Sequence, residues 1–189
     1  MNQNTTGANN TAIGNESLRS NTTGEHNVSV GYHALFQGTT EANDNVAIGY
    51  NSMSGGWTTA TVINNTAVGS GTLAGVMTNA ADKNTAIGFS ALNALTTGAY
   101  NVAVGSDAML LATACEQNVA IGFGAMDAAD GTEEQNVAIG IHAMGAVDEV
   151  AGSANLNIAI GASAMTGGQA TTFLSNIAIG GSALSSTGG

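Results

Sequence analysis

The 189-residue chain has no proline, one cysteine, two basic residues and only 4% aromatic residues. Each shortage excludes something. With so few aromatics and with 27 glycines, a conventional globular core is disfavoured. Ala, Val and Ile must do the burying, which is efficient only where many short, similar layers stack around a narrow interior. Cys115 alone cannot form an intrachain disulfide. It is expected in a loop or as a small buried hydrophobe, with no histidine or other base beside it in the sequence. Arg19 and Lys83 stand against 13 acidic residues, a formal net charge of −11, so clustered cations for phosphate binding are missing and nucleic acid is excluded as a partner. The acids read as a solvated surface that favours solubility. The longest apolar stretch, around Met109 to Ala114, is too short to span a bilayer, which predicts no membrane insertion. Met1 to Gly14 is polar and has no signal-peptide pattern.

What is present is one phrase, Asn-Val-Ala-Ile-Gly-x-x-Ala-Met with close variants. It begins at Asn10, Asn27, Asn45, Asn65, Asn84, Asn101, Asn118, Asn136, Asn157 and Asn176. The steps are 17, 18, 20, 19, 17, 17, 18, 21 and 19 residues, a period of about 18, at or just below the range of coil-stacking folds. Residues 1–189 are accordingly read as one β-roll repeat domain.

Within each phrase the second and fourth positions are always β-branched, from Thr11 and Ile13 to Ile177 and Ile179. Alternation of this kind marks a short strand with one buried face, and stacking such strands in register gives a parallel sheet. The β-branched face is expected to be buried, with the fourth position deepest. The middle position is Ala12, Ser29, Ala47, Ala67, Ala86, Ala103, Ala120, Ala138, Ala159 and Ala178. An exposed strand face would vary and carry charge, so this row of small residues predicts the close approach of another copy of the chain, an oligomer interface. Glycine closes each strand, where a tight turn or positive φ requires it. Four residues later comes a long apolar anchor, Leu18, Leu35, Met53, Leu73, Leu92, Met109, Met126, Met144, Met165 or Leu184, predicted to drop into the interior. The leading asparagines are expected to form a side-chain ladder from coil to coil. Linkers of eight to twelve residues, rich in Thr, Gly, Ala, Asn and acids, vary as loops on one side of a solenoid do, and any recognition surface is expected there.

The run Asn-Val-Ala-Ile-Gly, as at Asn118–Gly122 and Asn136–Gly140, resembles the head repeats of YadA-like trimeric autotransporter adhesins. With Thr-Thr-Gly linkers such as Thr22-Thr23-Gly24, it is also similar to phage tail fibres. The resemblance covers about residues 10 to 184. It implies an all-β, left-handed parallel β-roll of about ten coils in each chain, three chains about a common axis, and a surface used for attachment. Family head repeats are often shorter, so longer linkers here imply coils that bulge. The heptad stalk, neck and membrane barrel of a complete autotransporter find no counterpart in these residues.

Catalysis on a solenoid needs carboxylates converging on a groove, and none of the acids recurs at a fixed repeat position on adjacent coils, so an enzyme is not expected. The densest acidic group, Asp127, Asp130, Glu133 and Glu134 with Asp148 and Glu149 one coil later, is a candidate calcium site through carboxylates and loop carbonyls; otherwise it is a solvated patch, and no other cofactor is implied. His33 and His142 share one repeat position and could meet symmetry mates on a trimer axis, although a surface turn histidine is the more ordinary reading. Tyr32, Tyr50, Phe89 and Phe123 follow the turn glycine, as seals between chains or as a sugar-stacking strip. Trp57, in Gly55-Gly56-Trp57, is the candidate glycan contact. An ice-binding face would need an outward threonine array, whereas Thr11, Thr66 and Thr85 are placed on the face expected to be buried. Together these readings predict a homotrimeric phage fibre or virion-decorating module that displays a rigid β-roll at the virion surface, alongside other virion components, with a host surface glycan as candidate ligand. The alternative is the head of a bacterial trimeric autotransporter adhesin at the cell surface, binding matrix or cell-surface polymers.

Overall fold

The computed structural model describes residues 3–36, 42–57, 61–78, 81–129, 131–145, 154–167 and 174–185. Among the described residues every regular element is a strand, and no helix is long and apolar enough to cross a membrane. The elements are β1 (Thr11–Ile13), β2 (Val28–Val30), β3 (Ala42–Asn43), β4 (Val46–Ile48), β5 (Val62–Ile63), β6 (Thr66–Val68), β7 (Thr85–Ile87), β8 (Val102–Val104), β9 (Val119–Ile121), β10 (Val137–Ile139), β11 (Ile158–Ile160) and β12 (Ile177–Ile179). All but β3 and β5 form one ten-stranded parallel sheet in chain order, and β3 pairs with β5 in a second, two-stranded sheet. The whole is a β-solenoid of about eight turns. Register follows the repeated phrase position for position, as in Val119↔Val137, Ala120↔Ala138 and Ile121↔Ile139.

The asparagine ladder forms as expected. From Asn27 on, each leading Asn donates its backbone N–H and its side-chain amide to the Oδ1 of the Asn one turn earlier: Asn118 to Asn101 at 3.1 and 3.2 Å, Asn136 to Asn118 at 2.9 and 3.1 Å. The second amide proton closes the coil across its interior, as from Asn118 to the Glu133 carbonyl at 2.7 Å. From Asn27 to Asn157 these side chains are fully buried. Each bond contributes about 0.5–1.5 kcal/mol net, and an unmade one costs more, so the ladder fixes the register of every turn.

After the strand, glycine adopts φ between 124° and 142° at every repeat. A side chain at Gly122 would run into the Gly140 carbonyl of the next turn, so both conformation and space require glycine here. The chain then passes through two further left-handed residues, the second and fourth after the glycine, such as His142 (φ 50°) and Met144 (φ 52°). The first bonds backward and the second forward along the stack: Asn51 N–H to Tyr32 O at 3.0 Å, Met53 N–H to Thr72 O at 2.8 Å. This alternation drops the anchor inward. Nine of the anchors, Leu18 through Met165, are at most 1% exposed, and only Leu184, on the last turn, is open at 54%.

The strand faces are inverted relative to the sequence expectation. Ser29 and Ala47 through Ala178 are buried within the chain, each at most 2% exposed, and Ala12 is half-buried. The β-branched positions point outward, half-buried or exposed. The anchor column and the buried small residues one position before it, such as Ala108 and Ala125, fill the narrow interior and leave the sheet wall room for little beyond a methyl group. Ser29 fits there because its hydroxyl donates to the Ala34 carbonyl at 2.7 Å and meets Ser17 at 2.6 Å.

Candidate interaction surface

The outward face of the ten-stranded sheet carries two columns of Val, Ile and Thr, with one strand's pair directly above the next. In mid-stack Ile48, Ile87, Ile121 and Ile160 are 36–40% exposed, because neighbours on the adjoining turns shield them. On the terminal strands Ile13, Ile177 and Ile179 reach 61–69%. Nine inter-strand steps of about 4.8 Å make the face about 43 Å long. A contiguous apolar surface of this kind, without a single charge in either column, is uncommon on an isolated protein.

Two edges frame it. Along one runs the residue before each ladder asparagine, always left-handed, from Asn9 (φ 58°) to Ser175 (φ 57°). This edge is polar and joined along the stack: Asn9 to His26 at 3.2 Å, His26 to Asp44 at 3.5 Å, Lys83 to the Tyr100 hydroxyl at 2.8 Å, Gln135 to Gln117 at 3.0 Å. Below it Thr23, Glu25, His26, Asn43 and Asp44 line an open depression of about 480 Å³. Along the other edge runs the residue after each turn glycine. Tyr32, Tyr50, Phe89, Phe123 and Ile141 are 44–59% exposed there. At its first turns the rings stack continuously, Phe36 on His33 (4.2 Å), His33 on Tyr32 (3.9 Å) and Tyr32 on Tyr50 (5.5 Å). Glu16 fixes this stack by bonding His33 at 2.6 Å and Arg19 at 3.2 Å, while the Arg19 guanidinium covers Phe36.

The residues singled out in the sequence fall in different places. The row Ala12, Ser29, Ala47, Ala67, Ala86, Ala103, Ala120, Ala138, Ala159 and Ala178 cannot face another chain, since its side chains line this chain's own interior. Trp57 is no glycan contact: at 1% exposure it lies in the core with Met53, Leu73 and Met77, on a turn whose step is 20 residues. The proposed calcium ligands diverge. Glu133 turns inward, accepting bonds from the Cys115 thiol at 2.9 Å and the Gly131 N–H at 3.2 Å; Asp127 faces His142 at 3.6 Å; Glu134 is exposed. Asp130, Asp148 and Glu149 lie outside the described residues. Among the described residues no group of three or more His, Cys, Asp or Glu side chains could hold a metal ion. His33 and His142 are each held by a carboxylate of their own chain. Thr11, Thr66 and Thr85 sit on the outward face after all, but three threonines in twenty positions do not make a threonine array.

The pairing of Cys115 with Glu133 was missed. Both stand three residues before a ladder asparagine, so they occupy one interior column on adjacent turns, and that shared offset was the signal. No protein-family model, curated protein or solved structure matches the chain.

Proposed function

We propose that the chain is a structural attachment module: a homotrimer of ten-coil, left-handed parallel β-rolls that forms a phage fibre or virion decoration. The observation carrying this reading is the uncharged Val/Ile/Thr face on the outside of the ten-stranded sheet. Burying β-branched side chains contributes about 25 cal/mol per Å² of apolar surface. The face, about 43 Å long and roughly 13 Å wide, offers nearly 600 Å² per chain before the edges are counted. In a three-fold ring this face and its two edges are divided between two neighbours, so each pairwise contact is smaller than the roughly 800 Å² per partner of a standard two-chain interface and draws on the edges as well as the columns. The trimer axis therefore runs along the β-branched columns and not along the alanines. In this reading the role is mechanical and not catalytic, and contacts with a host surface glycan fall to the variable linkers.

Light scattering on the purified chain tests the assembly, with a mass of three chains expected. Ile121→Asp together with Ile139→Asp places charge on the axis and should yield a monomer with an unchanged far-ultraviolet spectrum. A wild-type chain that stays monomeric at every concentration overturns the reading. Virion genes flanking the coding sequence are expected, and their absence removes the assignment to a virion.

A further inference from the structure

A closed three-fold ring is built from head-to-tail contacts, in which one edge of each chain meets the opposite edge of its neighbour. Rotation about an axis parallel to the stack carries no translation, so residues at equal height meet. The residue before each ladder asparagine and the residue after each turn glycine lie six apart in sequence on the same turn, at the two edges of the apolar face.

The polar edge has two large apolar members, Tyr100 and Leu156, 52% and 53% exposed. On those same two turns the opposite edge carries Ser106 and Ala162. On the turns where that edge carries a bulky ring, the polar edge carries a polar side chain: His26 opposite Tyr32, Asp44 opposite Tyr50, Lys83 opposite Phe89 and Gln117 opposite Phe123. No turn has a large apolar group at both edges. Ser106 lies between Phe89 and Phe123 on the adjoining turns, so the gap from ring to ring spans two strand spacings, about 9.6 Å. A ring entering midway stands about 4.8 Å from each, inside the range of stacked aromatic pairs. Lys83 already bonds the Tyr100 hydroxyl and lies 4.8 Å from its ring centre, so the two side chains present a single unit, an ammonium for Phe89 and a ring for the notch.

We propose that neighbouring chains lock edge to edge, with Tyr100 of one chain seated in the Phe89–Ser106–Phe123 notch of the next and Leu156 against Ala162. The proposal rests on the trimeric reading above and adds its contacts and register. A slip of one turn in either direction sets Tyr100 against Phe89 or Phe123, so the arrangement opposes the open, helical assembly that a head-to-tail interface otherwise permits.

Cysteine pairs test it. In a Cys115→Ala background, Tyr100→Cys with Ser106→Cys should give disulfide-linked trimers on mild oxidation, while each single cysteine gives none. Within one chain the extended run from Asn101 to Gly105 holds the pair roughly 13 Å or more apart, beyond the ~7 Å reach of a disulfide, so a bond must join two chains. Tyr100→Cys with Ile141→Cys, two turns out of level, should remain unlinked. Ser106→Tyr should raise the concentration at half-dissociation tenfold or more, and adding Tyr100→Ser should restore it, with far-ultraviolet spectra confirming that each variant folds. If light scattering shows a trimer while the level pair fails to link or Ser106→Tyr has no effect, the register is wrong and the trimer stands. If the wild type is a monomer, both readings fall.

Discussion

At the scale of single residues, the repeat dictates the positions that occur ten times and leaves the exceptions to context. Asp127 is one such exception. Its side chain is 28% exposed and its Oδ2 lies 3.6 Å from His142 Nδ1, while its buried Oδ1 has no hydrogen-bond partner. Burial pushes its pKa above the ordinary carboxylate value, and the neighbouring imidazole only partly opposes that shift. The folded state therefore binds this proton more tightly than the unfolded chain does. Across the window from the ordinary value to the raised one, stability falls as pH rises, and the loss persists above it. Asp127→Asn removes the titration while keeping the shape. Its melting temperature at neutral pH should equal or exceed that of the wild type, and the wild type should gain on the variant only as pH drops toward about 4. Melting curves across that range check the sign, and a wild type that gains on the variant with rising pH contradicts it. Glu133 is the other exception. It is 1% exposed with Oε1 unpartnered, a carboxyl group on an interior column whose described neighbours above and below, Cys115 and Ala154, are small. The linker around it reads as acidic and solvated, and only its offset of three residues before Asn136, the offset of Cys115 before Asn118, marks it as inward.

At the scale of the element, strand existence, position and register were legible and strand orientation was not. Alternation of β-branched residues places β1, β2, β4 and the others of the large sheet correctly to the residue, but alternation is symmetric: it says that two faces differ, not which is inside. Assigning the larger side chains to the core followed the usual area argument. The deciding fact was further along the repeat, where Leu or Met four residues after the glycine already occupies the interior. A three-residue strand has only its middle side chain to give, and the remaining space takes a methyl. The two short strands β3 and β5 carry no repeated signature and were not foreseen. This inversion separates two substitutions. Ala120→Leu forces extra methylenes into a fully buried wall position between Ala103 and Ala138, and overpacking costs about 1–3 kcal/mol. Ile121→Thr keeps the β-branched shape at a side chain that is 38% exposed in the single chain, and should lower monomer stability by less than about 1 kcal/mol while weakening association. Denaturant titration of the two variants under monomeric conditions distinguishes them. Equal destabilisation would contradict the orientation of the strand.

At the scale of the whole molecule, contacts run almost entirely between adjacent turns: β4 pairs with β2 and β6, β9 with β8 and β10, and no strand of the large sheet skips a neighbour. Stability in such a stack is close to a sum of turn energies and nearest-neighbour terms, so β1 and β12, which among the described residues each pair with one strand only, open first. The structure shows where the weakness lies. On β12 the outward isoleucines are 68–69% exposed, Leu184 is 54% exposed, and Asn176 gives its ladder bonds to Asn157. At the other end Thr11 and Ile13 are exposed and Ala12 is only half-buried. From β6 to β10 every middle residue is fully buried, and the asparagines that precede these strands are bonded on both sides. Amide hydrogen exchange should therefore show a gradient, with slowest exchange for the strand amides of β7, β8 and β9 and progressively faster exchange toward β1 and β12. Replacing Asn118 by Ala, which removes ladder bonds to Asn101 and from Asn136 at once, should split that single maximum into two shorter protected blocks. A uniform protection across all ten strands, unchanged by the substitution, would mean that the stack opens as one cooperative unit and that its turns are coupled by something beyond their nearest neighbours.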